Sequence, residues 1–478
     1  METSSFQFVL FGLAAAILSN LSRSRAWRAI VLLTASIVFL ALLTHNPVLF
    51  LPLAAFLLLG YASLLLLERG WSGLQAWIIV ATVFTYIWLK KYAFLPEGMF
   101  ISAPYFTLGL SYIFFRVLHV LIETGGTSGK RHIGLGAYLL YTLNFTTFVS
   151  GPIQRYDGFA RDQFAFEPIP LGPRTIGLQL ERIVRGFFKV NVLAVLLNMV
   201  RVDAFNQMSQ PLPSLVKLDA AFRLAFLYPL FLYANFSGYI DIVIAMARLM
   251  RVRLPENFDR PFSASSFIDF WNRWHITLST WLKTYVYNPL LLGLMRRVSS
   301  EALQPFLGVF CFFVTFFLVG VWHGRTSEFL IFGVLQGGGV AINKLWQISL
   351  TRALGRTVYK MLARNSIYMS FGRGLTFCWF AFTLFWFWAD WKQIDGIFSA
   401  IGLVQWLGVW LFIWLSATAV LSLWEVLRAG LLSIRNAEGP ILTSRYARVI
   451  YASSLGLVAV LITVLLHQPA PDIIYKRF

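Results

Sequence analysis

The stretch FLGVFCFFVTFFLVGVW, residues 306–322, carries no charged side chain along its length and stops at His323. A helix needs about 20 predominantly apolar residues, within roughly 17–25, to cross the hydrocarbon core of a bilayer. This run meets the lower bound and exceeds the roughly 10–14 residues of a buried core helix. Similar runs fall at about 7–22, 29–44, 48–67, 76–94, 105–123, 133–150, 183–200, 224–247, 329–343, 374–389, 399–427 and 449–467. The chain has 478 residues, of which 58% are hydrophobic and 13% charged. Soluble domains carry about 25% charged residues, so this composition excludes them. The expected fold is an all-α integral membrane protein with roughly 11–13 apolar helices.

The net charge of +19 would suggest nucleic acid in a soluble protein. Here Lys and Arg flank the apolar runs, as cytoplasmic loop charges do under the positive-inside rule, so no nucleic-acid partner is expected. Arg23, Arg25 and Arg28 follow the first apolar stretch, which lacks a basic region before it. That stretch is expected to be an N-out helix rather than a cleaved signal. Loops 23–28 and 125–132, four spans apart, are both expected in the cytoplasm. Cys311 and Cys378 lie inside apolar runs and read as packed thiols. No repeat is visible, which weighs against common transporter folds.

Two segments, 151–182 and 251–300, hold too much Pro and charge for a full span. They read as surface loops, interfacial helices or re-entrant segments, the last tolerated only against protein or a wet cavity. Within the second, Trp271, Trp274, Leu278, Trp281, Leu282 and Tyr285 recur at spacings of three and four. The spacing predicts an amphipathic helix over 270–285, capped by Ser265 or Ser266, lying in the interface or packed on other protein.

Six histidines are present. His45, His132 and His467 suit loop or interfacial roles. His119, inside an apolar span, needs a polar partner, and Glu123 is one turn away. His323 closes a long apolar span and is flanked by Gly320 and Gly324. It reads equally as a functional group and as an interfacial histidine behind Trp322. His275, taken alone, reads as a wet interfacial side chain. Together they offer a base for abstracting a hydroxyl proton near neutral pH. No GxSxG elbow, HExxH, CxxC or carboxylate-rich metal pattern is visible, so no metal is expected. The Gly-rich LQGGGVAIN, residues 335–343, fits close helix packing better than a phosphate cradle.

PENFDRPFSASSFIDFWNRWHITLSTWLKTYVYNPL, beginning at Pro255, followed by GVWHG (320–324), resembles the membrane-bound O-acyltransferase family. LGLSYIFFR (108–116), FVSGPIQRYDGF (148–159), RGFFKVNVLA (185–194), YANFSGYIDIVIAMARLM (233–250) and the terminal IIYKRF fit too. Their order is similar to the bacterial branch that acetylates alginate and transfers D-alanine to teichoic acid. The resemblance covers about residues 105–350. It implies a catalytic core over 105–350 between N-terminal helices (1–104) and C-terminal helices (351–478), in one membrane domain. The implied helices surround a funnel pierced by a tunnel.

By motif position the resemblance makes His323 catalytic and His275 the second signature histidine. It makes Asn235, Gln154, Arg273, Trp274 and Trp322 the substrate-binding residues. Asn235 stands where the family often has Asp, and Gln336 where it often has His. The implied activity transfers an acyl group, most readily acetyl, from a cytoplasmic thioester to a hydroxyl of an extracytoplasmic polysaccharide. D-alanyl transfer to teichoic acid or a related polymer is the alternative, and a transporter or channel with histidine relays is the alternative of another class. No tightly bound cofactor is expected. The co-substrate is acetyl-CoA or an acylated carrier protein. The expected partners are membrane lipid, a carrier protein and a periplasmic acyltransferase partner, and the expected location is the bacterial inner membrane.

Overall fold

The computed structural model describes residues 5–44, 46–126, 132–433, 445–466 and 471. His45, His467, the terminal IIYKRF and residues 127–131 of the loop at 125–132 lie outside the described residues. The helices are α1 (Phe6–Ser19), α2 (Arg25–Leu43), α3 (Leu51–Glu68), α4 (Gln75–Leu89), α5 (Leu110–Gly126), α6 (Leu135–Leu143) and α7 (Phe145–Phe148). There follow α8 (Tyr156–Gln163), α9 (Pro173–Phe188), α10 (Ala194–Met208), α11 (Ser214–Leu249), α12 (Phe267–Trp271), α13 (Ile276–Leu282) and α14 (Asn288–Arg297). Last come α15 (Gln304–His323), α16 (Ser327–Leu362), α17 (Ser366–Thr383), α18 (Phe385–Trp388), α19 (Trp391–Ser399), α20 (Leu403–Ser433) and α21 (Arg445–Leu466). Nine helical stretches among the described residues are long and apolar enough to cross a bilayer. The protein is a multi-pass, all-α membrane protein. In lipid a helix satisfies its own backbone hydrogen bonds, which is why helices carry these spans.

The expected span at 374–389 divides into α17 and α18 at Leu384, and that at 133–150 divides as well. Residues 133–150 form α6 and α7, because Asn144 leaves the helical conformation (φ −46°, ψ 110°) and its side chain accepts from the Thr146 N–H at 3.1 Å. An Asn that bonds its own following backbone competes with helix continuation.

The chain forms two compact units. The first comprises residues 1–192, 235–256 and 452–478. Its core includes the Phe8, Phe39, Phe145 and Phe148 rings, with Phe39 5.8–6.2 Å from the others. Gly186 on α9 meets Gly238 on α11 so closely that a Cβ at Gly186 would lie 2.5 Å from the Gly238 carbonyl oxygen. Beside this crossing Asp241 accepts from Arg182 and Lys189, both at 2.8 Å. A π-turn over Lys189–Leu193 then joins α9 to α10. Arg116 is buried and donates to the carbonyls of Tyr141, Thr142 and Thr147, tying α5 to the break between α6 and α7.

The second unit comprises residues 193–234 and 257–451. Its centre is the antiparallel pair α15 and α16. A Cβ on Gly320 would lie 2.1 Å from the Gly333 Cα, and one on Gly337 would lie 2.5 Å from the Phe313 carbonyl oxygen. Small residues let helix backbones touch where lipid supplies no hydrophobic drive between them. The Gly-rich stretch at 335–343 therefore serves packing.

Candidate active site

All the geometry described first belongs to the second unit. His323 is the last residue of α15 and is 4% exposed. The close pairing of α15 with α16 fixes its position against α16. Its ring lies 4.7 Å from Trp322, 5.1 Å from Phe387 and 5.9 Å from Phe332. The imidazole thus sits in an aromatic enclosure rather than at a wet interface.

The predicted helix over 270–285 does not run through. It stops at Trp271, turns, and resumes at Ile276. His275 sits between the two pieces with φ 47° and ψ 50°. A non-glycine residue rarely adopts this left-handed conformation unless its surroundings impose it. The imposing contacts are visible. The Asp259 N–H donates to the Arg273 carbonyl at 2.9 Å, and the Ile276 N–H to the Asn257 carbonyl at 3.0 Å. The Asn257 side-chain oxygen also accepts from the Thr277 N–H (3.1 Å) and hydroxyl (2.8 Å). The segment 257–259 therefore clamps the turn from both sides. Ser266 caps α12 by accepting from the Asp269 N–H at 3.2 Å, as the sequence suggested.

The tryptophan face is buried in protein. Trp271, Trp274 and Trp281 are 6% exposed or less. His275 is fully buried, not wet. Its ring lies 6.2 Å from the Trp322 ring, so His275 and His323 share that indole. Burial pushes the His275 imidazole down to about 3. It is then neutral at physiological pH and offers one N–H donor and one nitrogen acceptor.

A cavity of about 280 Å³ opens beside this turn. Trp271, Asn272, Ile276, Thr280, Lys283 and Phe316 are among its lining residues. The Trp271 indole N–H is buried and has no hydrogen-bond partner among the described residues. A buried donor in this state favours a ligand or water able to accept from it.

The remaining expected site residues have defined places. Trp274 stacks on Phe270 at 5.6 Å and packs edge-on against Phe258 at 5.1 Å. Arg273 donates to Asp269 at 3.0 Å and lies 3.6 Å from Asp259. Gln154 and Asn235 belong to the first unit. The Gln154 amide donates to the Arg253 carbonyl at 2.8 Å, and Asn235 donates to the Pro471 carbonyl at 3.1 Å. In the same unit, the Tyr156 N–H donates to His119 Nε2 at 3.1 Å, giving that imidazole a backbone partner besides nearby Glu123. Asn257 and the cavity residues Thr280 and Thr315 were not singled out from sequence. The available signal was a hydroxyl inside an otherwise apolar run, Thr315, and it is weak.

Among the described residues no cluster of three or more His, Cys, Asp or Glu side chains is arranged to hold a metal ion. What the arrangement can do is proton transfer: the His323 imidazole stands in an aromatic enclosure, with the neutral His275 imidazole beside the same indole.

Comparison with known proteins bears on this chemistry. The model of the membrane-bound O-acyltransferase family matches residues 39–382. A teichoic acid D-alanyltransferase of Streptococcus thermophilus is 30% identical over 243 residues, covering 50% of this chain and 57% of the relative. One from Bacillus subtilis is 27% identical over 229 residues, covering 48% and 56%. A probable alginate O-acetylase of Pseudomonas fluorescens is 30% identical over 272 residues, covering 56% and 51%. The chain thus spans about half the length of the curated relatives it matches.

Proposed function

Since the chain belongs to the membrane-bound O-acyltransferase family, we propose that it transfers an acyl group, most readily acetyl, to a hydroxyl of an extracytoplasmic polysaccharide in the bacterial inner membrane. The donor is a cytoplasmic thioester, acetyl-CoA or an acylated carrier protein. The observation that carries the reading is the convergence of His323 and His275 on Trp322 inside a buried aromatic enclosure.

His323 takes the proton of the acceptor hydroxyl as its oxygen attacks the thioester carbonyl. A tetrahedral oxyanion forms, the C–S bond breaks, and the departing sulfur receives the proton from the imidazolium. An alcohol needs such assistance at neutral pH. His275 acts beside it as a neutral N–H donor, positioning the donor carbonyl or its oxyanion. Trp322 separates and orients the two imidazoles. Gln154, Arg273, Trp274 and Asn235 contribute to substrate binding.

Identity to the D-alanyltransferases supports a second reading, D-alanyl transfer to teichoic acid or a related polymer. The Trp322, Phe332 and Phe387 rings around His323 favour acetyl. An uncharged methyl is at ease among apolar rings, whereas a buried ammonium is costly without a paired acceptor. A periplasmic acyltransferase completing the transfer is compatible with either reading.

The test is purified protein in proteoliposomes, given labelled acetyl-CoA, acetyl carrier protein or D-alanyl carrier protein on the lumenal or outer side, with glycan on the other. Label should reach the glycan from an acetyl thioester and fail to do so in His323→Ala. Label from D-alanyl carrier protein alone would select the second reading, and label from no thioester would overturn both.

A further inference from the structure

We propose that a cluster of arginines at the ends of α1, α2 and α11 is a binding site for the phosphate headgroup of an anionic membrane phospholipid, whose acyl chains run along the exposed apolar side of α1. The cluster lies within the first unit.

Its members are Arg23, Arg28, Arg248, Arg251 and Arg253. Arg251 lies within electrostatic reach of Arg23, Arg28 and Arg248, and Arg248 within reach of Arg253. Like charges gathered this way repel one another unless an anion joins them. The carboxylate that meets them among the described residues is Asp162, bound by Arg253 through its backbone N–H and guanidinium. Arg28, Arg248 and Arg251 instead donate to neutral carbonyls of Ala165, Pro170 and Ile169 at 2.7, 3.0 and 2.7 Å. Those bonds fix the guanidiniums in place without neutralising them. One nitrogen of Arg248 and one of Arg28 are buried with no hydrogen-bond partner among the described residues.

The backbone adds a second sign of a built site. Arg251 closes α11 in the left-handed conformation, φ 64°, where glycine is the usual residue. Asn20, at the end of α1, holds it there: its side-chain oxygen accepts from Arg251 at 2.7 Å and its amide donates to the Leu249 carbonyl at 2.8 Å. The ends of α1 and α11 are thus joined around the arginine.

The surroundings select a lipid over a soluble anion. Ile17, Leu18 and Leu21, on the stretch of chain that leads to Arg23, are exposed. Trp27, whose indole N–H donates to the Leu18 carbonyl at 2.8 Å, marks an interfacial depth. Phe166, on the loop that the arginines clamp, is 89% exposed. Apolar side chains adjoining fixed cations match a molecule with acyl tails and a phosphate. Basic residues at this depth each favour anionic lipid by about fivefold.

The experiment uses the full chain in detergent, with dioleoylphosphatidylglycerol, dioleoylphosphatidylcholine or inorganic phosphate added. Thermal unfolding and native mass spectrometry are the readouts. Phosphatidylglycerol should raise the unfolding midpoint and remain bound, and the other two should not. Arg23→Gln and Arg251→Gln should each weaken the phosphatidylglycerol response by about fivefold. Arg251 also clamps the loop, so Arg23→Gln is the cleaner variant: Arg23 is exposed, and the lipid-free midpoint should stay unchanged. An equal response to phosphatidylcholine or to phosphate overturns the proposal. So does an unchanged phosphatidylglycerol response in Arg23→Gln, or a cluster that instead captures an acidic carrier protein with no lipid preference.

Discussion

The two imidazoles differ in what each removal should reveal. General-base assistance contributes about 10²–10⁴-fold in rate. His323→Ala should therefore lose at least that much transfer with membrane abundance near normal, measured as turnover at saturating donor and acceptor. Wild-type turnover in that variant would refute the mechanism. His275→Gly removes an imidazole and also relieves a left-handed backbone that glycine adopts freely. It should keep stability near wild type while lowering transfer by less than His323→Ala. His275 also predicts a pH dependence. Its folded value is pushed from the ordinary 6.5 down to about 3. Between these values the unfolded chain binds a proton that the folded chain refuses, so stability rises with pH there. The contribution is fully present above about 6.5 and is lost as pH falls towards 3. The unfolding midpoint should drop from pH 7 to pH 5 in the wild type and drop less in His275→Asn.

At the scale of elements, contact between α15 and α16 positions His323. Gly320→Val places a Cβ against the Gly333 backbone and the Phe329 carbonyl oxygen. Backbone cannot give way as a side-chain tip can, so the pair must separate, at a cost of about 1–3 kcal/mol or more. Gly338→Ala meets nothing within 4 Å and should be neutral or stabilise by up to about 1 kcal/mol. Detergent unfolding and membrane abundance of the two variants give the comparison. The clamp on α13 is the other decisive element. Asn257→Ala removes the acceptor for two Thr277 donors and should lower transfer by loosening the His275 turn. The heptad-like recurrence of Trp, Leu and Tyr over 270–285 revealed which face is apolar but not the break at Asn272–His275. That break is made by residues 257–259, which sequence periodicity does not connect to it.

Across the whole molecule the charge distribution predicts orientation. The loop at 23–28 should face the cytoplasm. A cysteine at Ser24 should resist an impermeant maleimide in intact cells and react after permeabilisation, and labelling from outside would refute the assignment. Background should be small, since Cys311 is buried and Cys378 partly so.

The sequence by itself determined the membrane class, most helical spans, the place of His323 at a helix end and the family resemblance. These depend on run length, local charge and contiguous motifs, all of which are properties of neighbouring residues. Tertiary structure alone decided that His275 is buried, that the tryptophan face packs on protein, and that the two imidazoles share Trp322. It also decided that Arg251 and Asn20, 231 positions apart, join the ends of α1 and α11. The physical reason is that an amphipathic stripe reports what a helix must hide, not what hides it: lipid and protein bury a tryptophan equally well, and only the packed neighbours distinguish them.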